Sequence, residues 1–114
     1  MKSAKLSPVP GGTRWPSGES IDLAVIPMTE DTLATRVGLP LSRGIEVGLG
    51  SWAGVGGRLP CGTDVEFICY AHDPKSVILR TDKNAPHSAT LDEALQVIGL
   101  SRADVRVSPI IDCR

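Results

Sequence analysis

His72 and His87, together with the cysteines Cys61, Cys69 and Cys113, are the side chains of this sequence suited to acid–base, nucleophilic or metal chemistry. His72 is followed directly by Asp73, and a carboxylate beside an imidazole is a common orienter of a general base. A hydrolytic site also needs a serine or cysteine nucleophile within hydrogen-bond reach of that base. Spacing specifies no such set, because the two histidines fall in separate turn-rich segments, His72-Asp73-Pro74-Lys75 and residues 82–88. A small enzyme or ligand-binding domain using the His72-Asp73 and His87 loops with Cys61 is therefore the alternative reading, and no catalytic residue is assigned.

Cys69 and His72 have a ligand-like spacing, and Cys61, His87 and Cys113 complete a zinc set on paper. No Cys-x-x-Cys pair occurs, and the strand register derived below turns Cys69 inward, where free cysteine behaves as a small hydrophobe. No metal is expected. Cys61 sits at a turn tip with Arg58 as the one obvious cation nearby, which reads as an exposed turn residue. The glycines from Gly48 to Gly57 suggest a phosphate loop, but such a loop must run straight into a helix N-terminus. Here it runs into Arg58-Leu59-Pro60-Cys61-Gly62, a turn, and no Gly-Lys-Ser/Thr follows, so no cofactor is expected. Glu30 and Asp31 look like paired catalytic carboxylates, yet behind Thr29 they fit the first turn of a capped helix.

The elements that position these residues centre on Gly44 to Ala71, read as one long glycine-kinked strand that turns at Pro60-Cys61-Gly62 into a second. A three-residue hairpin loop takes Pro early, where its φ suits the turn, and Gly last, where φ is positive. Thr63 then faces Leu59, Asp64 faces Arg58, Phe67 faces Val55, and Tyr70 faces Trp52. A four-residue loop would shift the register by one and send every side chain to the wrong face. One face collects Leu59, Val55, Ala53, Leu49, Val47 and Ile45 with Val65, Phe67 and Cys69, and becomes the core.

The opposite face collects Trp52, Tyr70 and Ile68, rimmed by Glu46, Glu66, Asp64 and Arg58. Aromatics flanked by charge are the material of a protein-binding patch. The same face is rich in glycine, so either a helix of the chain or a partner protein packs on it. Trp15, alone in a Pro/Gly-rich segment, either plugs a gap on the domain or anchors a partner.

Around this hairpin, 21–26 reads as a strand, Thr29 opens a short helix that Gly38 stops, and 76–81 is a strand pairing with 63–71. Thr90 and Glu93 read as a capping box that opens a second helix, and 105–111 is a final edge strand. The chain is thus α+β: a mostly antiparallel, curved sheet with a central meander over 44–81 and two short helices packed on one face. Residues 1–19 form an arm, and 20–114 a single domain.

A net charge of −1 from 12 basic and 13 acidic residues argues against a nucleic-acid partner. No apolar run reaches the roughly 20 residues that span a bilayer. An odd number of cysteines and an N-terminus without an apolar stretch indicate a cytoplasmic setting. The expected function is a small non-catalytic protein that occludes another protein, as an inhibitor or toxin-immunity protein does. Pairing of an uncovered sheet edge into a homodimeric structural subunit is a further alternative.

Overall fold

The computed structural model describes residues 6–7 and 18–109. The chain runs β1 (Ser20–Pro27), α1 (Glu30–Val37), β2 (Ser42–Glu46), β3 (Gly50–Arg58), β4 (Asp64–Tyr70), β5 (Ser76–Asp82), α2 (His87–Val97), a 3-10 turn (Arg102–Asp104) and β6 (Arg106–Val107). The strands form one open antiparallel sheet in the order β2-β3-β4-β5-β1-β6. This is the α+β, mostly sheet architecture expected from the order of the elements. Leu33 of α1 and Leu91, Ala94 and Leu95 of α2 join Val55, Val65, Phe67 and Leu79 in one buried cluster, so both helices cover the same face.

The corner at Pro60-Cys61-Gly62 is the three-residue turn that the register required. Gly62 N–H donates to Leu59 C=O and Leu59 N–H to Thr63 C=O, each at 2.8 Å, and Gly62 adopts φ 98°. Trp52 pairs with Tyr70, Val55 with Phe67 and Arg58 with Asp64. Both ends of α1 also follow the sequence: Thr29 Oγ1 accepts from Thr32 N–H at 3.3 Å, and Gly38 caps the C-terminus in the left-handed conformation.

The stretch before this corner is not one strand. β2 reverses into β3 through Val47-Gly48-Leu49, with Leu49 N–H donating to Glu46 C=O at 3.0 Å. Gly48 holds the third turn position at φ 87°, a conformation that favours glycine there. The meander therefore has four strands, β2 to β5. Ile45, Val47 and Leu49 were expected in the core and are instead 81%, 100% and 43% exposed. Val47 and Leu49 lie in the reversal and follow no strand alternation. Ile45 keeps its parity, facing Ser51, but sits on the outermost strand outside the cluster the helices cover.

α2 begins at His87 rather than Thr90, with Thr90 N–H bonded to Pro86 C=O at 3.0 Å. Thr90 is thus a buried residue inside the helix, and Glu93 instead reaches the Cys61 N–H at 3.4 Å, tying the corner to α2. Pro86 is the N-cap, with extended backbone, and its carbonyl accepts the first helical hydrogen bond, so the helix starts one turn before Thr90. The capping box occurs at Ser101 and Asp104. β6 is an edge strand, as expected for 105–111 with Pro109 in it, but only two residues long and ended before that proline. In the N-terminal segment, Leu6 is buried and Ser7 exchanges backbone bonds with Arg58. A Cβ on Gly57 would overlap Leu6, which is why glycine serves there.

Phe67 is fully buried at the centre of the helix-side cluster. Phe67→Ala is expected to destabilise the fold by roughly 3–5 kcal/mol, read from urea unfolding. A loss under about 1 kcal/mol would contradict its place in the core.

Candidate protein-binding surface

Trp52, Tyr70, Ile68, Glu46, Glu66, Arg58 and Asp64 do share the face opposite the helices, as strand pairing dictates. They do not form an open docking patch, because Ile68, Tyr70 and Glu66 are buried and Trp52 is half-buried. Long side chains lie flat across small ones. The Trp52 indole covers Gly44 so closely that a Cβ there would sit 2.6 Å from Cζ2. Tyr70 reaches toward β2 and donates its hydroxyl to Glu46 at 3.0 Å, and burial pushes its pKa up. Arg80 bridges Asp22 at 3.2 Å and Glu66 at 3.7 Å.

The glycine-rich face therefore carries its own side-chain layer rather than a covering helix. The Arg58–Asp64 pair forms at 2.8 Å and is exposed, so it contributes to register more than to stability. Trp15 lies outside the described residues.

The exposed apolar side chains lie elsewhere, Ile45 on the helix side of β2 and Val47 and Leu49 in the reversal that follows it. Ile45 borders a cleft of about 560 Å³ between the first turn of α1, β2–β3 and the 71–75 turn. Ala53 and Cys69 line its floor, Ile45 and Pro74 its sides. Arg43 closes one rim through a two-pronged bond to Glu30 at 2.7 and 3.3 Å, which holds the Glu30 carboxyl below its usual pKa. The Cys69 thiol points at the carbonyls of Asp73 and Pro74, at 3.9 and 3.7 Å. Burial, then the nearby Glu30 and Asp73 charges, push its pKa up, so it stays a protonated thiol and a poor nucleophile.

The histidines serve the scaffold. His72 Nδ1 lies 3.2 Å from Leu49 C=O, and its ring stacks on Tyr70 at 5.6 Å, which braces the hairpin tip. His87 Nε2 lies 3.1 Å from Lys83 C=O. His72 precedes β5 and His87 follows it, so the length of that strand, roughly 20 Å at its usual rise, separates them. Cys61 sits near the His87 end, since Val65 pairs with Thr81. The loop-histidine site considered from the sequence is thus not assembled. Among the described residues no group of three or more His, Cys, Asp or Glu side chains is placed to hold a metal ion.

Sequence reasoning missed Ile45, Val47 and Leu49 as surface residues. The available signal was Gly48 and Gly50 flanking Leu49, two glycines that make a reversal as readily as a kinked strand.

No protein-family model, curated protein or solved structure matches the chain. No helix of the described residues is long and apolar enough to cross a membrane.

The thiols give a direct check of this geometry. Cys61 is exposed and Cys69 buried, so brief alkylation of the native protein followed by peptide mapping should label Cys61 and spare Cys69 until the chain is unfolded. Equal labelling of both would show that the cleft floor is open.

Proposed function

We propose that this is a small, non-catalytic, cytoplasmic protein that docks on another protein through its β2–β3 hairpin and adjoining cleft, and occludes that partner as an inhibitor or immunity protein does. The observation that carries this reading is that Ile45, Val47 and Leu49, the large apolar side chains exposed among the described residues, gather on one hairpin beside one apolar cleft. Leaving such side chains in water forgoes about 1.5–3 kcal/mol each relative to full burial. A partner that covers them recovers much of that, and clustered apolar exposure of this kind marks interaction sites. The protonated Cys69 and the separated histidines support a surface that binds without transforming what it binds. The near balance of charge favours a protein partner over a nucleic acid.

The test uses the tagged full chain as bait in extract of its own cells, with three variants beside the natural protein. Leu49→Asp and Ser51→Arg place charge on the tip and at the cleft, and Gln96→Lys alters the exposed side of α2. A partner retained by the natural protein and by Gln96→Lys should bind the first two at least about tenfold more weakly, the equivalent of 1.4 kcal/mol. Equal retention by all four would remove the hairpin from the interaction.

A further inference from the structure

β2 ends the sheet, and no strand among the described residues pairs with its outer side. Which backbone groups that side offers follows from the bonds of β3. Ser51 C=O accepts from Ala71 N–H on the β4 side, whereas Arg58 exchanges both its bonds with Ser7 on the other side. Even-numbered residues of β3 therefore bond toward β2, and their partners Ser42, Gly44 and Glu46 bond back. The N–H and C=O groups of Arg43 and Ile45 point outward.

Natural sheet edges are usually guarded by proline, by lysine or by a charge set into the edge. β2 has no proline or lysine, and both of its charges are engaged within the chain. Arg43 is drawn onto Glu30 at 2.7 Å, and Glu46 accepts the Tyr70 hydroxyl at 3.0 Å. Ile45, meanwhile, is 81% exposed.

We infer that the outer edge of β2 pairs antiparallel with β2 of a second copy, about a two-fold axis through Gly44. That centre sets Arg43 opposite Ile45 of the second copy and Ile45 opposite its Arg43, which closes four backbone hydrogen bonds. Shifting the axis to Arg43 would set two guanidiniums face to face, a destabilising like-charge pair. Shifting it to Ile45 leaves one pair of bonds inside the strand and pushes the others into the reversal.

Side chains favour the Gly44 centre too. Ile45 lies against the aliphatic stem of the opposing Arg43. Val47, fully exposed, meets Leu41 of the other copy, itself only partly buried. The axis passes between two glycines, and the Trp52 indole leaves no room for a Cβ at that position.

No like charges oppose one another across this seam. Five residues on each side bury less than a standard interface of about 1,200–2,000 Å². The dimer is accordingly weak, with Kd on the order of 10–100 µM. Pairing brings the two clefts together on the helix side of one continuous sheet. It stands on the strand edge alone: a foreign partner can bind without it, and it can form without a foreign partner.

Sedimentation velocity of the full chain between about 1 and 500 µM spans the expected range of Kd. The weight-average mass should rise from 12.0 kDa toward twice that value. Ile45→Lys, at a residue with no core contact, should stay at the monomer mass while keeping its unfolding midpoint. Amide exchange supplies the register: Arg43 and Ile45 should slow as concentration rises, while Gly44, bonded within the hairpin, is protected throughout. A natural chain that stays monomeric across the range overturns the inference. So does self-association by Ile45→Lys equal to that of the natural chain, or protection gained elsewhere with Arg43 and Ile45 unchanged.

Discussion

The register of β3 against β4 is the constraint from which this molecule is built. Once Gly62 takes a positive φ and Leu59 bonds Thr63, every later pair is fixed, from Arg58–Asp64 to Trp52–Tyr70. Because side chains alternate with a period of two, that single corner decides which residues meet the helices. Val55, Val65, Phe67 and Cys69 go to the helix side, and Trp52, Glu66, Ile68 and Tyr70 to the other. β5 inherits the same parity through its pairing with β4, and β1 takes it up from β5 on either side of a one-residue irregularity at Leu23.

Two layers of unequal character follow. The helix side is a conventional apolar core, closed by Leu33 and by the Leu91–Leu95 stripe. The other side is a thin, mixed layer in which aromatic and charged side chains lie along the sheet: indole over Gly44, phenol to Glu46, guanidinium between Asp22 and Glu66. Glycine makes this possible by removing the side chains that would hold the rings upright. Neither layer extends over the end of the β2–β3 hairpin, and there aliphatic side chains meet solvent.

What the sequence revealed, and what it hid, divides along the same line. Wherever one residue type has one physical use, as with Pro60 and Gly62 at the corner or Thr29 and Gly38 at the ends of α1, local chemistry predicted the structure. Gly48 and Gly50 were ambiguous, since a kinked strand and a reversal ask for the same residue, and only the sheet context selects the reversal. Thr90 and Glu93 matched a capping box in spacing, but Pro86 had already started the helix, so the match carried no structural weight. The burial of Ile68 and Tyr70 depends on side chains lying sideways, which alternation along a strand does not encode. Ile68, Tyr70 and Glu66 were therefore expected on the surface and are buried, whereas Ile45, Val47 and Leu49 were expected in the core and meet solvent.

Apolar side chains are unevenly exposed across this one sheet. The most direct measurement is solvent paramagnetic relaxation of methyl resonances in dilute protein, with a soluble gadolinium chelate as probe. Ile45, Val47 and Leu49 methyls should broaden strongly, while those of Ile68 and Val65 should be spared. Strong broadening of Ile68 with Ile45 protected would contradict this distribution.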